Sequence, residues 1–166
     1  GSIPAAVGTD DGEAPDYVVV GAGPGLSYES LTRGLNCLLR GGARLVGTNP
    51  DPNLDGLWDG RPAVLPGGGA LAAPFATAAG IEPLFIGKPE PWLYREGLRR
   101  LGRTAADTVM IGDRPDTDIK GAAELGLRTV LVRTGRFGPE QTYPKRLPKP
   151  DFDLRNLGEL RLADLA

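Results

Sequence analysis

Apolar residues in this chain come in short runs, each closed by glycine or proline, and the runs alternate between a strand period and a helix period. Tyr17-Val18-Val19-Val20 is an unbroken apolar, largely β-branched run and predicts a buried strand. Ser27 is a good N-cap, and Leu31, Leu35, Leu38 and Leu39 follow at helical spacing until Gly41-Gly42. Residues 43–47 read as a second strand, which completes a β-α-β unit of about 30 residues. The stretch 48–69 is rich in Pro, Asp and Gly and reads as a long loop. Residues 70–79 read as a helix closed by Gly80, with Pro74 in conflict: the helix either starts near Ala73 or kinks there.

The second half repeats the alternation. A short strand at 84–86 leads into Gly87-Lys88-Pro89. A helix follows over 91–101, with Leu93, Tyr94, Leu98 and Leu101 as its core face and Arg95, Arg99, Arg100 and Arg103 on the water side. Residues 108–111 predict a strand ending at Gly112-Asp113, and a helix opens at Thr117 or Asp118 and runs to Leu125, capped by Gly126. A buried strand is expected at 129–132, a loop over 138–149, a last strand at 152–154 and a last helix at 157–165. Residues 1–15 are small and polar and read as a loop or disordered lead-in. The opening Gly1-Ser2 reads as the remnant of an expression tag. Strands alternating with helices imply an α/β fold with a mostly parallel sheet covered on both faces.

Composition narrows the chemistry. The chain has 166 residues, 25 glycines, 16 prolines and a formal net charge of −2. Without a strongly basic face, nucleic acid is not an expected partner. No apolar run is long enough to span a membrane, and no signal peptide is visible. There is no histidine, which excludes Ser-His-Asp triads and His-bound zinc. The single cysteine, Cys37, excludes disulfides within the chain and multi-Cys metal sites, and suits a reducing, cytoplasmic setting. Chemistry must come from carboxylates, Lys, Arg, Asn, hydroxyls, backbone N–H groups and a hard cation.

Three motifs are candidates. Val20-Gly21-Ala22-Gly23-Pro24-Gly25 follows a strand and precedes a helix, as a dinucleotide site requires. Its third fingerprint position is Leu26, and the next strand ends in Gly47-Thr48 with no acid for a ribose, so a plain glycine turn is the better account. Asp113 stands at the carboxyl end of a strand, and Asp118 follows five residues on, at the start of the next helix. Two hard oxygen donors without nitrogen or sulfur nearby suit Mg²⁺; on the Asp pair alone, an Asp-rich turn with Thr117 or Asp118 as N-cap is the better account. Lys88, between Gly87 and Pro89, sits on a stiff turn after a strand and can offer a point charge to a phosphate.

Taken in order, five motifs resemble the haloacid dehalogenase (HAD) superfamily of phosphatases, in its nitrophenyl-phosphatase-like branch with a large α/β cap. They are Thr48-Asn49-Pro50-Asp51, Leu65-Pro66-Gly67-Gly68-Gly69-Ala70, Gly87-Lys88-Pro89-Glu90-Pro91, Met110-Ile111-Gly112-Asp113-Arg114 with Thr117-Asp118-Ile119, and Val130-Leu131-Val132-Arg133-Thr134-Gly135. The resemblance implies a HAD-like Rossmannoid parallel sheet in the C-terminal part plus an α/β cap domain, with 16–84 as partial cap and 85–166 as the C-terminal half of the core. It implies that Lys88 is catalytic and steadies the phosphate, that Asp113 is a Mg²⁺ ligand, that Asp118 supports the metal through water, and that Asn49 and Asp51 belong to the cap over the substrate. The family's D-x-D nucleophile and its phosphate-binding Ser or Thr have no counterpart in these residues; Asp10-Asp11-Gly12 follows no strand.

The resemblance therefore implies a Mg²⁺-dependent phosphomonoester hydrolase acting through an aspartyl-phosphate on a small phosphorylated metabolite, this chain carrying the lysine and metal half of the site. A non-catalytic, shortened paralogue that binds a phosphate ligand or a partner is the alternative. A buried strand at 108–111 lacking its family neighbour has an unfilled edge, which predicts a homo-oligomer or a preceding segment to fill it.

Overall fold

The computed structural model describes residues 15–165, so the expected lead-in lies outside the described residues except for Pro15. The chain divides into two compact units between Gly87 and Lys88. None of the described helices is long and apolar enough to cross a membrane.

The first unit orders β1 (Tyr17–Val20), α1 (Tyr28–Leu39), β2 (Arg44–Gly47), β3 (Asn53–Trp58), β4 (Arg61–Pro66), α2 (Gly68–Ala79) and β5 (Leu84–Phe85). The strands β1, β2 and β5 form a parallel sheet in that order, with Val18 opposite Leu45 and Val46 opposite Leu84. Ser27 caps α1 as expected: its Oγ accepts the Ser30 N–H at 3.1 Å, and Ser30 Oγ accepts the Ser27 N–H at 2.8 Å. Val18, Val20, Leu38, Leu45, Ala72 and Phe75 form the core between sheet and helices.

Two expectations are corrected here. The long loop at 48–69 holds an antiparallel hairpin, β3 with β4, joined by Asp59-Gly60. Those two residues take φ of 50° and 75°, the left-handed pair that a two-residue hairpin turn demands. Prolines at 52, 62 and 66 disguise the strand pattern, and a two-stranded ribbon tolerates them because each strand keeps an open edge. Helix α2 does not start near Ala73; it runs from Gly68 to Ala79 with Pro74 inside it. One helical hydrogen bond is forgone, between the buried side chains of Ala72 and Phe75 that hold the helix down.

The second unit orders α3 (Pro91–Leu101), a 3₁₀ turn (Ala105–Asp107), β6 (Val109–Gly112), a π-helical turn (Pro115–Ile119), α4 (Lys120–Glu124), β7 (Arg128–Val132), β8 (Phe152–Leu154) and two 3₁₀ turns (Leu157–Glu159 and Leu162–Leu165). The parallel sheet runs β6-β7-β8, with Ile111 opposite Val130 and Leu131 opposite Asp153. On α3 only Tyr94 is buried, with Leu98 half-buried beside it; Leu93 and Leu101 are 52% and 66% exposed. The core stripe is the single i, i+4 pair of Tyr94 and Leu98, narrower than the expected face. The last helix is replaced by two short turns, because Leu160 is extended between them. The helix after Asp113 begins as the π-helical turn at Pro115, five residues before α4 and two before the expected Thr117.

The strand β6 is not buried. Val109 and Met110 are half-buried and Ile111 is 41% exposed. The edge beyond β6 carries no partner strand among the described residues.

Candidate active site

Asp113 follows directly on β6, at the carboxyl end of a parallel strand, where open α/β sheets place their ligands. Its Oδ2 accepts the backbone N–H of Arg136 at 2.6 Å. The chain after β7 comes this close because residue 135 is glycine: a Cβ there would overlap the Asp113 carboxylate. The other oxygen, Oδ1, accepts no hydrogen bond among the described residues.

Asp118 lies in the π-helical turn, with its side chain only 3% exposed. Oδ2 accepts the N–H groups of Asp113 and Arg114, each at 3.1 Å. Oδ1 accepts from Lys88 Nζ at 2.5 Å. A carboxylate out of water needs such donors, since desolvation otherwise outweighs any Coulomb gain. Lys88 stands on the turn before α3, its side chain 41% exposed. An ammonium has three N–H donors and Asp118 engages one, so Lys88 can still donate to a ligand. The second unit thus brings Lys88, Asp113 and Asp118 into one hydrogen-bonded cluster.

Two further groups set the local field. Burial pushes the Asp116 carboxyl up, but the Arg114 guanidinium, 2.6 Å away, pulls harder, and the net lies below the usual carboxylate value. Arg133, just after β7, binds both oxygens of Asp153 at 2.6 and 2.7 Å and the Gln141 carbonyl at 2.8 Å, and its guanidinium lies 4.9 Å from the Phe137 ring centre. That side chain fixes the loop that carries Arg136 past Asp113.

Asn49 and Asp51 lie in the first unit. Asn49 Oδ1 accepts the Asp51 N–H at 3.1 Å, an Asx turn between β2 and the hairpin. The two are brought to each other.

For a cation, the donor chemistry is oxygen alone. Among the described residues no group of three ligating side chains gathers. Asp113 offers one carboxylate oxygen that no hydrogen bond engages, and Asp118 is held next to it with both oxygens already accepting. Such a donor set could hold a hard divalent ion only if the ion kept most of its shell as water and phosphate; Asp113 would be the residue to ligate it directly, and Asp118 could reach it only through water.

Sequence reasoning missed two contributors. Tyr94 reads as core, yet its hydroxyl donates to the carbonyls of Thr117 at 2.8 Å and Asp118 at 3.2 Å. The signal was available, since a buried tyrosine needs a partner for its O–H. The clamp of Arg133 on Asp153 spans 20 residues, and local pattern cannot reveal it.

The chain is similar to known proteins along most of its length. A family model described as HAD-hydrolase-like matches residues 85–160. A dihydroxyacetone phosphatase of Corynebacterium glutamicum is 45% identical over 124 residues, 73% of this chain and 42% of that protein. An acid sugar phosphatase of Staphylococcus epidermidis is 35% identical over 145 residues, 87% of this chain and 54% of its own length. The solved structure of a p-nitrophenyl phosphatase from Archaeoglobus fulgidus superposes with a TM-score of 0.74 at 33% identity, over 85% of this chain and 54% of that one. The chain therefore spans about half the length of the relatives it matches. Ordered motifs, fold and relatives agree that the chain belongs to the haloacid dehalogenase superfamily, in its nitrophenyl-phosphatase-like branch.

Proposed function

We propose that this chain is the lysine- and metal-bearing part of a phosphomonoester hydrolase acting on a small phosphorylated metabolite. The observation that carries the reading is the cluster in which Lys88 meets the buried Asp118 at 2.5 Å while Asp118 accepts the Asp113 N–H. Lys88 donates to a phosphoryl oxygen and holds its charge while Asp118 keeps the ammonium in place. Asp113 presents Oδ1 to a divalent ion, Mg²⁺ by its oxygen-only donors. When bound, that ion neutralises charge building on the phosphoryl oxygens. Asn49 and Asp51 are read as the cap's substrate-facing residues. The attacking carboxylate, and with it the aspartyl-phosphate step, is expected from a segment outside these 166 residues. The open edge of β6 is where that segment, or a second copy of the chain, adds a strand. The names of the two curated relatives favour triose or sugar phosphates. A reducing, cytoplasmic setting goes with the free thiol of Cys37.

The test is phosphate release from p-nitrophenyl phosphate and a sugar-phosphate panel. The protein used carries these residues together with a D-x-D segment. Turnover is expected to need Mg²⁺, to stop with EDTA, and to fall about 10²–10³-fold in K88A. Turnover indifferent to both EDTA and K88A would refute the reading.

A further inference from the structure

Tyr94 is a buried titratable group that the proposed chemistry leaves idle. Its side chain is 8% exposed overall, and it projects from α3, the helix that starts three residues after Lys88. Its hydroxyl donates to two successive carbonyls of the turn that carries Asp118, those of Thr117 at 2.8 Å and Asp118 at 3.2 Å. The fit is tight on the far side as well. A Cβ on Gly121 would come within 2.5 Å of the Pro89 carbonyl oxygen, 2.6 Å of Tyr94 Cε2 and 2.9 Å of its hydroxyl. The ring therefore fills the space where the Lys88-Pro89 turn, the π-helical turn and α4 converge.

A π-helical turn is an uncommon, irregular way to open a helix; the Thr117 carbonyl takes the Lys120 N–H within the turn, and the tyrosine O–H adds a donor from outside it. A core phenylalanine would fill the same volume without reaching either carbonyl. The tyrosine adds only the hydroxyl, and the hydroxyl meets the backbone of the one buried carboxylate that holds Lys88.

From this geometry we infer that Tyr94 is a positioning residue: it fixes the Asp118 turn against the Lys88 turn and so sets the Lys88–Asp118 pair. The inference rests on reading that pair as the working half of the site, but its test does not depend on activity. The reporters are the amides of Asp113 and Arg114, which donate to Asp118 Oδ2.

In the 166-residue chain, Y94F is expected to speed hydrogen exchange of the Asp113 and Arg114 amides at least tenfold, and those of Val130 and Leu131 in β7 less than twofold. L98A, which opens a gap in the same apolar cluster away from the hydroxyl, is the control for mere loss of stability. It is expected to speed all four amides in similar proportion. Should Y94F behave as L98A does, or leave the Asp113 and Arg114 amides unchanged, Tyr94 is ordinary core. A Y94F chain without native amide dispersion overturns the inference too, because the hydroxyl would then hold the whole unit and not one turn. Loss of phosphatase activity in every form of the protein, with the exchange result intact, would count against the proposed function alone.

Discussion

In the first unit the side chains that leave water are hydrocarbon: Val18, Val20, Leu38, Leu45 and Phe75 close around two helices and a parallel sheet. In the second unit the buried set includes Thr117, Asp118 and Thr129, and all the buried polar side chains among the described residues lie there. Two of these side chains are engaged, Asp118 by three donors and Thr129 by the Asp151 carboxylate at 3.0 Å, and the Thr117 backbone carbonyl accepts from the Tyr94 hydroxyl. One unit is held by packing; the other combines a smaller apolar cluster with a polar network. The polar unit is also the one that holds the residues proposed to meet a phosphate and a cation. Buried polar groups are costly when unpartnered, so a fold that keeps them invests stability in orientation. The two units should therefore respond differently to the same kind of insult.

The largest effect is expected from F75A. Phe75 is 2% exposed, and large-to-small changes at such sites cost about 3–5 kcal/mol. Urea unfolding followed by tryptophan fluorescence, with Trp58 in the first unit and Trp92 in the second, should show the first unit lost at lower urea. Equal loss at both probes would mean that the two units do not unfold separately.

D118A comes next. It leaves the Asp113 and Arg114 N–H groups without their acceptor, at about 1–3 kcal/mol for each buried unmet group. Lys88, its side chain 41% exposed, can turn its ammonium to water and adds less than the two amides. The loss should appear in the second unit only, read from the Trp92 transition.

G135A is expected to be milder in stability but sharp in place. Its methyl would have to displace the Asp113 carboxylate, at about 1–3 kcal/mol for an overpacked site. The Arg136 amide resonance, whose proton goes to Asp113, should move more than any amide in the first unit.

The smallest effect concerns the solvated face of α3. Arg99 and then Arg100 hold the Glu96 carboxyl at about 2, against an ordinary 4.5. A folded-state value below the unfolded one stabilises the charged form. That contribution is whole above pH 4.5 and is lost as pH falls towards 2. E96Q should therefore lower stability slightly at neutral pH, the effect being small because the pair lies in water, and should converge with the parent chain as pH falls towards 2.

Much of this was legible from local pattern. Strands with β-branched runs, the Ser27 cap and the Gly80 stop all depend on neighbours within one turn, and the structure keeps them. The hairpin was hidden because its prolines and glycines read as loop, although Asp59-Gly60 is a strong turn signal on its own. The faces of α3 were overdrawn, because periodicity gives the apolar stripe and tertiary packing decides its width. In the site, Lys88, Asp113 and Asp118 could be nominated from their places after strands. Their union depends on the N–H groups of residues 113 and 114 and on a tyrosine hydroxyl, and no spacing rule encodes those.

The central claim is that the second unit carries a hard-cation site centred on Asp113 and that the acidic, polar stretch around Asn49 and Asp51 does not form another. Mn²⁺, a paramagnetic stand-in for Mg²⁺, tests it on the chain as it is. Titration at low millimolar Mn²⁺ is predicted to broaden the amides of Asp113, Arg114 and Gly135 first, to spare those of Asn49 and Asp51, and to lose the selectivity in D113N. Broadening that begins at Asn49 and Asp51, or that persists unchanged around residue 113 in D113N, would contradict the account.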